Sequence, residues 1–167
     1  MRYAHTNIIA KDWRAVSAFY QKVFGCKPVG PQRDLSGKWA EDLTGIRNVH
    51  IAGEHLQMPG YSENAPTLEI FSYDIFPSDI SSADTSSVKI PSAESPAGGR
   101  KQINSYGFSH IAFEVDNVAD TAQLLLDNGG SLLGKIVTKD YGAAGIGTFA
   151  YAKDIEGNII ELQNWRK

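Results

Sequence analysis

Two copies of one pattern run through this chain, and each copy opens on a histidine and closes on a glutamate. His5 stands in Ala4-His5-Thr6-Asn7-Ile8-Ile9 and Glu69 in Thr67-Leu68-Glu69-Ile70-Phe71. In the second copy His110 stands in Ser109-His110-Ile111-Ala112-Phe113 and Glu161 in Ile159-Ile160-Glu161-Leu162. His5 precedes Gly25, and His110 precedes Gly130, by the same 20 positions. A period this long means two related modules rather than a solenoid of short repeats. The histidine-to-glutamate separations, 64 and 51 residues, differ by an amount that loops between strands absorb.

Each copy passes from an alternating apolar run into a helical pattern. In the first, Trp13, Val16, Phe19, Tyr20, Val23 and Phe24 recur at spacings of three and four; in the second, Val118, Ala122, Leu125 and Leu126 do so. Asp12 suits an N-cap, and Gly25 and Gly129 suit helix C-termini. The remaining strands are expected at 2–10, 49–52, 54–58 and 67–72, then at 108–115, 132–138, 147–152 and 158–163. The Asp154-Ile155-Glu156-Gly157-Asn158 stretch reads as a turn. Alternation sets Glu161 on the face opposite Ile160 and Leu162, and Glu69 opposite Leu68 and Ile70. The fold class expected is α+β, two tandem modules at 1–72 and 107–167 joined by a linker at 73–106.

That linker is rich in Ser, Asp, Pro and Ala, a composition that suits a surface connection. Loops longer than about 12–15 residues serve either as linkers or as functional lids. The sharper alternative here is a lid that brings Arg100 and Lys101 to an anionic substrate.

A net charge of −3 and a pI near 5.8 argue against a nucleic-acid partner. No run of about 18 apolar residues occurs, which argues against a membrane-spanning helix. No basic-then-apolar leader is seen, and the single cysteine, Cys26, cannot form an intrachain disulfide; the chain reads as cytoplasmic. Gly142-Ala143-Ala144-Gly145-Ile146-Gly147 has the wrong spacing for a dinucleotide fingerprint and leads into strand-like sequence, so it reads as a hairpin or loop.

Two imidazoles and two carboxylates at matching places are the donor set of a mixed nitrogen/oxygen divalent metal site. His5, Glu69, His110 and Glu161 are therefore the candidate ligands. A histidine alone in a strand is more often just a satisfied polar side chain, and it is the paired recurrence that singles these out. His50 and His55 lack repeat counterparts and are assigned surface or loop roles. Trp13, Phe19, Tyr20 and Phe24 are expected in the core. Trp39, Tyr141 and Trp165 are candidate pocket-lining residues, with ordinary packing the plainer alternative. Cys26 follows a helix end, which does not activate a thiol, and reads as structural.

These residues resemble the vicinal oxygen chelate superfamily, which includes glyoxalase I, methylmalonyl-CoA epimerase, bleomycin- and fosfomycin-resistance proteins and extradiol dioxygenases. The resemblance rests on Met1-Arg2-Tyr3-Ala4-His5-Thr6, on the segment from Phe108 to Val118 and on the segment from Lys153 to Leu162. It implies paired βαβββ modules whose sheets curve around a metal cleft, with His5, Glu69, His110 and Glu161 at the four ligand positions. The ligand order is similar to that of glyoxalase I. The resemblance therefore implies a metal-dependent lyase or isomerase that abstracts a proton next to a carbonyl through a metal-stabilised enediolate.

In that reading Glu161 is the base and Glu69 the second choice. The ion would be Ni, Co, Mn or Zn, the substrate a small molecule with adjacent oxygens, and the assembly a homodimer, with the ligands drawn from one chain or from two. Trp39-Ala40-Glu41-Asp42-Leu43-Thr44-Gly45 and the long connection depart from glyoxalase I. The alternatives are an extradiol-type dioxygenase and a metal-free drug-sequestering protein of the bleomycin-resistance kind.

Overall fold

The computed structural model describes residues 2–62, 65–74, 102–104 and 107–167. The first copy runs β1 (His5–Ile9), α1 (Trp13–Phe24), β2 (Lys27–Ser36), α2 (Lys38–Thr44), β3 (His50–Gln57) and β4 (Thr67–Tyr73). The second runs β5 (His110–Glu114), α3 (Val118–Asp127), β6 (Ser131–Leu132), β7 (Val137–Asp140), β8 (Ile146–Lys153) and β9 (Ile159–Arg166). Each copy builds its own mixed sheet, β1-β4-β3-β2 in one and β5-β9-β8-β6 in the other, with β7 also on β8.

The helices begin and end where their residues dictate. The Asp12 carboxylate accepts from the amides of Arg14 and Ala15, and Gly25 takes the left-handed conformation (φ +68°) that closes α1. Asn117 caps α3 in the same way. The apolar stripe of α1 packs on Leu56, Leu68 and Ile70 of the first sheet, and that of α3 joins Ala152, Ile160 and Leu162 of the second. One core serves both modules. Phe24 stacks on Phe113 at 4.0 Å between ring centroids, and the Tyr20 hydroxyl donates to the buried Asp154 carboxylate at 3.2 Å. Burial and the nearby Asp154 carboxylate hold the Tyr20 phenol well above its ordinary pKa. Burial likewise pushes the Cys26 thiol up to about 12, which fits a structural role.

The internal repeat extends to strand register. β1 lies parallel to β4 with His5 opposite Thr67 and Asn7 opposite Glu69; β5 lies parallel to β9 with His110 opposite Ile159 and Ala112 opposite Glu161. The second strand of each module is broken at the same rung. β2 shifts register between Val29 and Arg33, beside His55 and Gly53, and β6 gives way to β7 beside Tyr151 and Phe149.

Three strand expectations need correction. β2 carries Pro28, Gly30 and Pro31, which mask its strand character, and it is tolerated because it is a bulged edge strand. The two strands expected at 49–52 and 54–58 are one strand, β3, continuous through Gly53. That glycine is required there: a Cβ on it would lie 2.1 Å from the Ile70 carbonyl oxygen and 2.4 Å from the Phe71 ring. The strand expected at 132–138 is two short ones, β6 and β7. The hairpin reading of 142–147 holds, with a 3-10 turn at Gly142–Ala144 between β7 and β8. The connection assigned to 73–106 falls for the most part outside the described residues, Arg100 and Lys101 included.

Candidate functional site

Strand alternation decides which face carries the chemistry. In the first sheet Glu54, Leu56, Leu68 and Ile70 face α1, where Ser17 donates to Glu54. His5, Asn7, His55 and Glu69 therefore occupy the opposite face. α2 closes one end of that face, its Ala40 packing with Val49, Ile51 and Phe71. In the second sheet Ala150, Ala152, Ile160 and Leu162 face the core, which leaves His110, Tyr151 and Glu161 on the other face. The cross-strand register then sets the partners: His55 opposite Glu69, and Tyr151 opposite Glu161.

The four sequence-predicted ligands come together two by two. His5 Nε2 lies 3.4 Å from Glu69 Oε2, and His110 Nε2 lies 3.0 Å from Glu161 Oε2. Among the described residues no His–Glu contact crosses between the two pairs, and no set of three or more His, Cys, Asp or Glu side chains is placed to hold a metal ion. The pairwise spacing itself suits coordination, since two ligands each about 2.1 Å from an ion at tetrahedral or right angles sit about 3.0–3.4 Å apart.

The two glutamates are held unequally. Asn7 Nδ2 donates to Glu69 Oε2 at 3.2 Å, and His55 Nε2 stands 3.2 Å from Oε1. Thr67 Oγ1 is 3.3 Å from His55 Nδ1. When that hydroxyl donates, the imidazole proton sits on Nε2, facing Glu69. Burial lowers the His55 pKa against the pull of the Glu69 carboxylate, so the ring is neutral near pH 7. Glu161 has Ala112 where Glu69 has Asn7, and Tyr151 where Glu69 has His55. Among the described residues only His110 is within ion-pair range of its carboxylate.

His55 thus corrects the sequence reading: it is a half-buried strand residue on the candidate ligand Glu69. The repeat gave no sign of it because its counterpart is Tyr151, whose ring meets that of His110 edge-on at 5.3 Å. Its place in the 54–58 run, opposite in phase to Leu56, was the available signal. His50 keeps the surface role expected of it. Its Nδ1 lies 2.6 Å from Asp74 and its Nε2 2.7 Å from Asp34, and these two hydrogen bonds raise its pKa. Trp39 is exposed on α2, whereas Tyr141 and Trp165 cluster with Phe149 on the face of the second sheet that carries Glu161.

A cleft of about 710 Å³ runs between the modules, with Tyr3, Thr6 and Thr67 on one side and His110, Ala112 and Gln163 on the other. A second, of about 370 Å³, opens at the start of α3 and includes none of the four candidate ligands.

Comparison with known proteins adds the family. The family described as Glyoxalase/Bleomycin resistance protein/Dioxygenase superfamily matches residues 2–162. Among solved structures, a glyoxalase family protein from Bacillus cereus is similar at a TM-score of 0.67 and 17% identity, over 100% of this chain and 94% of that one. The fosfomycin resistance protein FosX from Listeria monocytogenes is similar at 0.55 and 16%, over 99% and 94%. A glyoxalase/bleomycin resistance protein/dioxygenase family enzyme from Burkholderia phytofirmans PsJN is similar at 0.53 and 18%, over 98% of each chain. No curated protein matches the sequence. At these identities the structural likeness establishes the fold.

Proposed function

Because this chain belongs to the glyoxalase/bleomycin resistance protein/dioxygenase superfamily, we propose that it is a cytoplasmic, divalent-metal-dependent lyase or isomerase of the glyoxalase I type. The observation that carries this reading is the pair of His–Glu couples at identical rungs of a duplicated module, one glutamate tied down and the other not.

His5, Glu69, His110 and Glu161 would hold the ion, which we take to be Ni, Co, Mn or Zn. Two neutral imidazoles and two carboxylates balance a divalent charge, and that donor set suits all four metals. Because the couples stand on separate sheets, we infer that a homodimer completes the set, one copy supplying His5 and Glu69 and the other His110 and Glu161. When bound, the ion would polarise two neighbouring substrate oxygens and stabilise the negative charge left by a departing proton.

The chain's own residues divide the remaining work. Glu69, fixed through both oxygens by His55 and Asn7, serves as a permanent ligand. Glu161, with fewer attachments, takes the proton from the carbon next to the carbonyl and returns it to the neighbouring carbon. Tyr151 is the cross-strand neighbour of Glu161, and its ring meets that of His110 edge-on.

The runner-up, a ring-cleaving dioxygenase, has one observation in its favour. The first sheet by itself sets two imidazoles, His5 and His55, on one carboxylate, the donor set of non-haem Fe(II) sites. The two rings approach opposite oxygens of Glu69, however, and do not converge on one point.

Elemental analysis of untagged protein, with Glu161→Ala prepared in parallel, tests the proposal. About one equivalent of Ni, Co, Mn or Zn per chain, reduced in the variant, supports it. Iron as the dominant metal promotes the dioxygenase. Absence of metal under every loading condition sinks the ligand assignment and leaves a drug-sequestering protein as the better reading.

A further inference from the structure

A chain of polar contacts runs from Glu69 to the wall of the larger cleft. His55 Nε2 stands 3.2 Å from Glu69 Oε1, Thr67 Oγ1 stands 3.3 Å from His55 Nδ1, and Thr67 lines the cleft together with His110. Register explains the chain. His55 pairs with Glu69 across β3 and β4, His5 pairs with Thr67 across β1 and β4, and Thr67 precedes Glu69 by two positions on the same face of β4. The hydroxyl is thus the neighbour of both members of the first couple.

Hydrogen-bond chemistry gives each link a direction. An ionised carboxylate only accepts, so the single proton of the neutral imidazole belongs on Nε2, where it donates to Glu69. The other tautomer would set a nitrogen lone pair against the carboxylate oxygen. Nδ1 is then an acceptor, and the Thr67 hydroxyl directs its one proton to it. What the hydroxyl has left for the cleft is its oxygen lone pairs. The fold alone does not ask for this arrangement. On the matching rungs the second module carries Ile159 in place of Thr67 and Tyr151 in place of His55, and it builds the same strands.

We propose that Thr67 is a specificity-determining residue that presents an acceptor to the cleft, so that the substrate carries a hydrogen-bond donor, a hydroxyl or an N–H, beside its two chelating oxygens. The inference rests on the proposed metal-dependent reading for the oxygens, and on the chain from Glu69 through His55 to Thr67 for the donor.

The test separates the two. In metal-free protein at about pH 8, above the ordinary imidazole value of about 6.5, long-range nitrogen–proton NMR reports which ring nitrogen of His55 holds the proton. The signal is assigned by its loss in His55→Gln, and a proton on Nε2 is expected. A proton on Nδ1, or on both nitrogens, makes Thr67 the acceptor in that bond and overturns the proposal. Nickel-loaded protein is then titrated by calorimetry with glycolohydroxamate and with methoxyacetohydroxamate. These chelate through the same two oxygens and carry a donor and an acceptor respectively; each affinity is referred to that for free Ni²⁺. The expected result is a preference for glycolohydroxamate of about tenfold, falling to within about threefold in Thr67→Val, which removes the hydroxyl without making room. Equal affinities in the parent, or a preference that survives in Thr67→Val and so reflects size, overturn the donor. Failure to retain nickel, with the proton found on Nε2, overturns the metal reading and keeps the acceptor at Thr67.

Discussion

At the scale of single residues the two glutamates part company. Glu69 is buried, and His55 and Asn7 hold its oxygens. Glu161 is half-buried, and His110 is its one ion-pair partner among the described residues. A charge-removing change at each should therefore fail differently. Glu161→Gln is expected to keep most of its metal and lose about 10²–10⁴-fold in turnover, the usual worth of a general base. Glu69→Gln is expected to lose the metal itself, read by elemental analysis after dialysis. His55→Ala leaves Glu69 Oε1 without its imidazole partner and should weaken metal binding about 10-fold or more, measured by chelator competition. The two His–Glu couples were legible because the repeat shows the pattern twice. His55 was not, because duplication followed by divergence left a tyrosine at its counterpart, and a pattern seen once carries no such signal.

His50 shows what a surface histidine can do for stability. It bridges Asp34 on β2 and Asp74 just past the end of β4, and both carboxylates raise its pKa in the folded state. A group whose folded pKa is raised contributes stability that is fully present below the unfolded value, about 6.5, and is lost as pH rises through the folded value. His50→Gln is therefore expected to lower the melting temperature more at pH 6 than at pH 9. An equal loss at both would show that the bridge does not act through charge.

At the scale of elements, α1 and α3 were read closely, the short α2 (Lys38–Thr44) was missed, and the strands were read loosely, for a physical reason. α1 and α3 announce themselves through apolar spacing, the cap at Asp12 and the glycines at their ends, all of them local signals; the structure adds the cap at Asn117. β2 and β7 are exposed edge segments whose pairing is decided by β3 and β8, so their own sequences carry little alternation. Gly53 looked like a break between two strands because glycine is rare within one. It is instead where the β4 backbone and the Phe71 ring press on β3. Gly53→Ala should cost about 3 kcal/mol in a urea titration, since a backbone oxygen cannot move aside as a flexible side chain would. The same substitution shifts Phe71, whose ring packs edge-on against His55 at 5.7 Å, and so carries into the candidate site.

At the scale of the molecule, two modules share one core while their His–Glu couples stay apart. The join is specific: Phe24 on Phe113, Tyr20 on Asp154, and Glu156 accepting from the amides of Lys11 and Asp12 at 2.8 Å each. Such a join ties the modules to one another, and among the described residues no His–Glu contact spans the two couples. Completion by a second copy leaves it intact, which gives a sharp expectation for mixed subunits. A chain carrying His5→Ala with Glu69→Ala lacks one couple, and a chain carrying His110→Ala with Glu161→Ala lacks the other; each alone is expected to be inactive and metal-free. Unfolded together and refolded as random pairs, half of the dimers are mixed, and each mixed dimer has one whole site and one empty of ligands. Activity and bound metal should then return to about a quarter of the parent level. A mixture as dead as its components would overturn completion of the site by a second copy.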